Sequence, residues 1–230
     1  VEWKGDFTNI SNNTLIKAEY KATKFESGTG TESDPYIIST VEQLDYFSYV
    51  INHENAKYGT ACYKLANNIY YNDITDYANW GQSDITGDMY CPENIWEPAG
   101  IKNEKNNSEN YFTGTFDGNG CSIFGLFVSE TERDYVGFIG YAHNAVIRNL
   151  GIENSYFETR GNYAGAVVGV FSSLANDRSE IYCCFARDNY ISANKFVGGF
   201  AGEIITINST AKMKITNCYT SDSYIESFLG

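Results

Sequence analysis

The sequence predicts an all-β fold, a parallel β-helix closed at its N-terminal end by a short helix, and three observations predict it. Three segments align without gaps at a spacing of 34 residues: "IRNLGIENSYF" from Ile147, "IYCCFARDNYI" from Ile181 and "ITNCYTSDSYI" from Ile215. An aromatic-x-Gly motif recurs in step with them, as "YVGFIG" from Tyr135, "YAGAVVG" from Tyr163 and "FVGGFAG" from Phe196. Tyr (19), Phe (14) and Gly (21) are abundant, a balance that favours strands over helices. A fixed period of this length marks a repeat architecture. Helical repeats are excluded because almost no segment shows 3.6-residue periodicity, and the Leu ladder of leucine-rich repeats is missing. A solenoid remains, in which each unit is one coil of short strands and neighbouring coils stack about 4.8 Å apart through backbone hydrogen bonds.

Residues 1–30 are polar, rich in Asn and Gly, and form a lead-in segment; residues 31–230 form the β-helix. "PYIISTVEQLDYFSYVIN" predicts a strand and then a helix, with Thr40 and Gln43 as a capping box and Val41, Leu44, Phe47 and Ile51 on one face. Such a helix plugs the open apolar end of the first coil. "CYKLANNIYYN" is a candidate coil, followed by a polar excursion to about Cys91 and then by "WEPAG". In "FTGTFDGNGCSIFGLFV" the run Asp117-Gly118-Asn119-Gly120 signals a turn between two β-rich runs. The segment from Ser122 is a fourth copy, with Ile123 in phase with Ile147 and Leu126 with Leu150. Within the three regular units Leu150, Cys184 and Cys218 coincide, as do Ile152, Ala186 and Thr220, and then Phe157, Ile191 and Ile225. The repeated glycines allow sharp turns at positive φ or close backbone packing, with the neighbouring aromatic and aliphatic residues filling the interior. They are not a nucleotide loop, since no phosphate-binding Lys accompanies them. "FLG" opens the aromatic-x-Gly segment of one more unit, and an uncapped parallel edge is disfavoured, so a chain cut from a longer protein is expected.

A formal net charge of −13 excludes nucleic acid and anionic lipid as attractive partners. No apolar run approaches the roughly 18 residues of a membrane span, so no membrane insertion is expected. The six cysteines include no CxxC pair, and with only His53 and His143 present neither a zinc-ligand spacing nor an HExxH helix can be built. Cysteine pairing and oligomeric state stay open at this level.

"GTGTESDPYIISTVEQLDYF", "YKLANNI", the W-x-P-x-G of Trp96 to Gly100, "FTGTFDGNGCSIFGLFV" and the repeated "VGGFAG" together resemble bacterial cell-surface proteins with GLUG-type repeats, and the β-helical region of some large secreted peptidases. The resemblance covers about residues 25–230. It implies a right-handed parallel β-helix in an exported or cell-wall-attached bacterial protein, and it implies no activity, because the matching motifs are structural.

Stacking converts sequence offsets into columns. Tyr156, Tyr190 and Tyr224 form one column, and if Phe157, Ile191 and Ile225 point inward, alternation sends these tyrosines outward. A row of exposed aromatic faces suits sugar rings, which bury C–H faces and keep their hydroxyls wet; the structural reading is that the rings only stack and shield the sheet. Beside them Asn154, Asp188 and Asp222 align. Two such carboxylates could serve acid-base chemistry or bind calcium, whereas Asp and Asn are also common turn residues. Arg187 aligns with Glu153 as a cross-coil ion pair, so no basic column stands by the acids to stabilise a developing oxyanion. Asn149 and Asn217 share a position suited to a buried asparagine ladder. Asp117 is sufficiently explained by its turn, and neither His53 nor His143 has a nucleophile motif beside it. The chain is therefore expected to be a non-catalytic extracellular β-helix that binds a glycan or a host or cell-surface protein through Tyr156, Tyr190 and Tyr224, without a cofactor. The alternatives are a β-helical polysaccharide lyase or glycoside hydrolase using Asp188 and Asp222, and a rigid spacer for another domain.

Overall fold

The computed structural model describes residues 24–83, 88–103, 108–130, 132–174 and 179–228, and among these the strands stack in parallel as a β-solenoid of about three turns. Each regular coil has four faces. The first face carries Thr115–Phe124, then Val146–Glu153, then the pair Ser179–Tyr182 and Phe185–Arg187, then Met213–Thr216 and Tyr219–Ser221. The second carries Phe127–Glu130, Tyr156–Thr159, Tyr190–Ala193 and Tyr224–Ser227. The third stacks Tyr135–Val136, Tyr163–Gly165 and Phe196–Gly198, and the fourth Ile139–His143, Val168–Ser173 and Ala201–Thr206. Most of the expected lead-in, residues 1–23, and Leu229 and Gly230 of the terminal "FLG" lie outside the described residues.

The 34-residue register holds where it was read. Ile147, Ile181 and Ile215 pair in series, as do Ile152, Ala186 and Thr220, and Phe157, Ile191 and Ile225. Left-handed φ recurs at fixed places in the coil: Asn149, Cys183 and Asn217 at a bend within the first face, and Asn154, Asp188 and Asp222 at the corner that follows it, all between 46° and 54°. Asn and Asp tolerate this conformation through local side-chain hydrogen bonds, which is why the sequence repeats them there. The buried asparagine ladder is not at Asn149 and Asn217, whose side chains reach solvent. Asn189 is the buried one: its Oδ1 accepts from Ser155 N–H at 3.0 Å and its Nδ2 donates to the Ile152 carbonyl at 2.9 Å, so it closes two backbone groups of the preceding coil.

The fourth copy stacks in a different register from the one its sequence predicts. Ile147 pairs with Phe116 and Ile152 with Ile123, so Ile123 is not in phase with Ile147, nor Leu126 with Leu150. The reason lies at Gly118-Asn119-Gly120, which stand opposite the single residue Asn149, with positive φ at Asn119 and Gly120. This is a bulge within one strand, not a turn between two. Asp117 organises it: its carboxylate accepts from Asn119 N–H at 2.8 Å, from Asn149 Nδ2 at 3.0 Å and from Arg148 Nε at 2.8 Å. Partial burial pushes the Asp117 pKa up, but these three donors outweigh it and hold the carboxyl below its ordinary range. The depressed folded pKa means that its stabilisation is fully present above the unfolded value, near ~4, and is lost as pH falls through the folded value. Asp117→Asn is therefore expected to cost about 1–2 kcal/mol at pH 7 and nothing relative to wild type once Asp117 is protonated, as urea unfolding between pH 2 and 7 would record.

The glycine motifs work by close approach. In the third and fourth faces none of Gly137, Gly140, Gly165, Gly169, Gly198 or Gly202 has positive φ. A Cβ on Gly165 would stand 2.5 Å from the Gly202 amide nitrogen of the next coil. The motif's leading aromatics do not fill the interior as expected. Tyr135, Tyr163 and Phe196 form an outer ladder with ring centroids 5.3 and 5.0 Å apart, while Val136, Ala164 and Val197 face the core.

The helix Val41–His53 closes the end of the core. Thr40 Oγ1 accepts from Gln43 N–H at 3.3 Å, while Gln43 Oε1 accepts from Ser39 N–H at 2.8 Å, so the reciprocal arm of the capping box falls one residue early. Leu44, Phe47 and Ile51 are buried, and the Phe47 ring meets Tyr63, Phe112, Phe116 and Phe138 at 4.7 to 5.8 Å. Asn52 fixes the helix to the W-x-P-x-G segment, donating to the Pro98 carbonyl and accepting from Gly100 N–H. An irregular first coil follows: Cys62–Leu65 and Ile69–Tyr70 pair with the first face, and Ala99 and Phe112 bridge to the fourth.

Candidate functional site

The tyrosine column lies on the second face in the expected register. Tyr156, Tyr190 and Tyr224 pair in series, and the rings stack nearly parallel at centroid distances of 4.5 and 5.3 Å. Phe127 extends the column at 5.1 Å from Tyr156. Alternation sends all four rings away from the core, yet they are not equally open. Tyr156 is 4% exposed and Tyr224 is 58% exposed, with Tyr190 between them. The cause is the polar excursion, which folds back over this face. Its short 3-10 helix, Tyr77–Asn79, leads into Trp80, whose ring meets Phe127 edge-on at 5.7 Å and Tyr77 edge-on at 5.3 Å. The Gly81 backbone, at φ 74°, lies directly on the Tyr156 ring, where any side chain would collide with the phenol.

The result is a groove of about 390 Å³. Tyr190 and Tyr224 line it together with Gly81, Gln82, Asp188 and Asp222, and the Tyr77 hydroxyl reaches the Ser155 carbonyl beside them. Only the Tyr column and the two acids were legible in the sequence; the placement of Tyr77 and Trp80 was not, because nothing in the chain states where an insertion folds. Tyr156 Oη donates to Glu158, and Tyr224 Oη donates to Glu226 Oε2 at 3.4 Å. Burial first, and then the Glu158 hydrogen bond, push the Tyr156 hydroxyl well above its ordinary pKa, and burial with Glu158 and Glu226 raises that of Tyr190. The Tyr156 and Tyr190 hydroxyls therefore stay protonated across the physiological range.

Asp188 and Asp222 stand side by side on one edge, each at a left-handed corner. The two acids occupy equivalent corners of successive coils, on one side of the tyrosine column. Arg187, the nearest cation, is spent: it pairs with the buried Glu153 and lies 3.5 Å from Asp188. Among the described residues no three His, Cys, Asp or Glu side chains converge as metal ligands. His143 does meet a serine that spacing could not reveal, its Nδ1 lying 2.8 Å from Ser172 Oγ, but Ser172 is fully buried and unreachable by a substrate.

No protein-family model matches the chain, and no solved structure matches it. Two curated proteins are similar. One, provisionally named a Gly-rich membrane protein of Evansella cellulosilytica, is 31% identical over 149 residues, 64% of this chain and 14% of that protein. The other, halomucin of Haloquadratum walsbyi, is 26% identical over 178 residues, 77% of this chain and 2% of that protein. The chain thus spans a small fraction of the length of both relatives. No helix among the described residues is long and apolar enough to cross a membrane.

Proposed function

We propose that this chain is a non-catalytic β-solenoid region of an extracellular surface protein, and that it binds a neutral glycan in the groove over Tyr190 and Tyr224. The observation that carries the reading is the groove itself, in which the edge of the stacked Tyr190 ring and the exposed Tyr224 ring lie beside the Asp188 and Asp222 carboxylates. Sugar rings pack their C–H faces against exposed aromatic surface such as Tyr224 while their hydroxyls donate to the acids. Asp188 and Asp222, in a protein of net charge −13, repel uronates and sulfated sugars. A lyase or hydrolase is disfavoured by the one-sided placement of those acids and by the engagement of Arg187. The names of the relatives, a membrane protein and a halomucin, accord with a surface location.

A glycan array tests the reading. Wild type is expected to retain neutral oligosaccharides and not acidic ones, and folded Tyr190→Ala/Tyr224→Ala protein to lose that binding. Absence of binding by both proteins would leave the spacer role ahead, and product release from a bound glycan would favour the enzyme.

A further inference from the structure

Cys184 and Cys218 stand in one interior column. The pairings Tyr182 with Thr216 and Phe185 with Tyr219 bracket them. Each follows a residue of left-handed φ, Cys183 or Asn217, and so turns inward at the same place in successive coils. Cys184 is 1% exposed within the core, and Cys218 packs half-buried against it. Strands of adjacent coils run about 4.8 Å apart, inside the roughly 4.4–6.8 Å between Cα atoms that a disulfide requires. The other cysteines are out of reach. Cys183 points outward beside the exposed Asn217, and Cys121 is separated from Cys184 by the coil that carries Leu150.

Each sulfur lies 3.3 Å from the carbonyl two residues before it, Cys184 from Tyr182 and Cys218 from Thr216, so the two sulfurs sit on one side of their strands. The hydrogen bond between the two thiols pushes Cys184 up, with burial adding to it, and holds Cys218 below the ordinary thiol range. The outer, half-buried member is therefore the nucleophile and the buried one the resolving thiol.

We propose that Cys184 and Cys218 are a disulfide-forming site that ties successive coils together. With a low-molecular-weight disulfide R–S–S–R as oxidant, the Cys218 thiolate attacks one sulfur, forms a protein–S–S–R bond and expels R–S⁻. The Cys184 proton passes to that thiolate, and the Cys184 sulfur then attacks Cys218 Sγ and expels the second R–S⁻, which takes up the proton lost when Cys218 ionised. Two protein thiols are oxidised and one R–S–S–R is reduced to two R–SH. The bond closes a loop of one full coil where Ile215 and Ile225, in register with buried Ile181 and Ile191, are 38% and 45% exposed.

The test oxidises the 230-residue chain with glutathione disulfide, unfolds it in excess N-ethylmaleimide without reductant, and maps its peptides by mass spectrometry. The expected result is two unmodified, cross-linked thiols joining the Cys184 peptide to the Cys218 peptide. The cross-link should persist in Cys183→Ser, which removes the neighbouring thiol from the same peptide. Oxidation should raise Tm by about 5–10 °C, a rise absent in Cys218→Ser. Alkylation of all six cysteines, a lasting glutathione adduct on Cys218, a bond to Cys183 instead, or a bond between two chains would each overturn the proposal; the wild-type map decides this even if Cys218→Ser does not fold.

Discussion

Phe47→Ala is expected to cost about 3–5 kcal/mol and to unravel the solenoid from its N-terminal end. Phe47 is fully buried and is the one helix side chain whose ring meets four core rings, Tyr63 and Phe112 in the irregular first coil and Phe116 and Phe138 in the coil behind it. Removing it leaves a cavity that those rings cannot close without breaking strand register. A solenoid is stabilised by contacts between neighbouring coils, so the loss falls on the end nearest the helix. Hydrogen exchange should report it as lost protection around residues 62–65 and 115–124, with residues 190–206 little changed. Phe47→Leu, which refills much of the volume, should recover more than half of the loss. Uniform loss of protection along the chain would mean that the helix supports the whole fold and is not an end cap.

Gly165→Val should be at least as damaging, by about 3 kcal/mol or more, although it adds apolar surface to a buried site. The obstacle is backbone. A Cβ at residue 165 would lie 2.5 Å from Gly202 N and 2.6 Å from Ala201 Cα, atoms fixed by the pairing of Val168–Ser173 with Ala201–Thr206. No rotamer relieves such a contact, and the coils must separate. Gly120→Ala is the contrast: nothing lies within 4 Å of its Cβ, so its cost is limited to the positive φ of 79°, about 1 kcal/mol. Urea unfolding of the two variants compares the costs directly, and equal losses would refute the close-packing account of the glycine motifs.

The regular coils were legible because the same corner chemistry recurs. Asn154, Asp188 and Asp222 mark one corner, and Phe157, Ile191 and Ile225 mark the interior position three residues on. The period itself drifts: 34 residues separate Tyr156 from Tyr190, but 33 separate Tyr163 from Phe196, since a loop between faces can lose a residue without disturbing the ladders. Between Phe116 and Ile147 the spacing is 31, and a fixed period could not find it. The outward turn of Tyr135, Tyr163 and Phe196 was hidden because the interior of the third face is filled by Val136, Ala164 and Val197, which any outward aromatic would also permit. At the site, alternation gave the direction of the tyrosines but not their exposure. Tyr156 is covered by Trp80 and Gly81, residues brought there by an insertion whose polar sequence carries no periodicity.

The groove account turns on which aromatic ladder touches sugar, and calorimetric titration of the best neutral glycan from the array measures it most directly. Wild type and a Tyr163→Ala/Phe196→Ala variant, altered only in the ladder of the third face, are expected to bind alike. Tyr224→Ala, which removes the most open ring of the groove, is expected to weaken binding about tenfold or more, a loss of roughly 1.4 kcal/mol or more. Unchanged affinity in Tyr224→Ala, with loss in the third-face variant, would contradict the assignment of the groove.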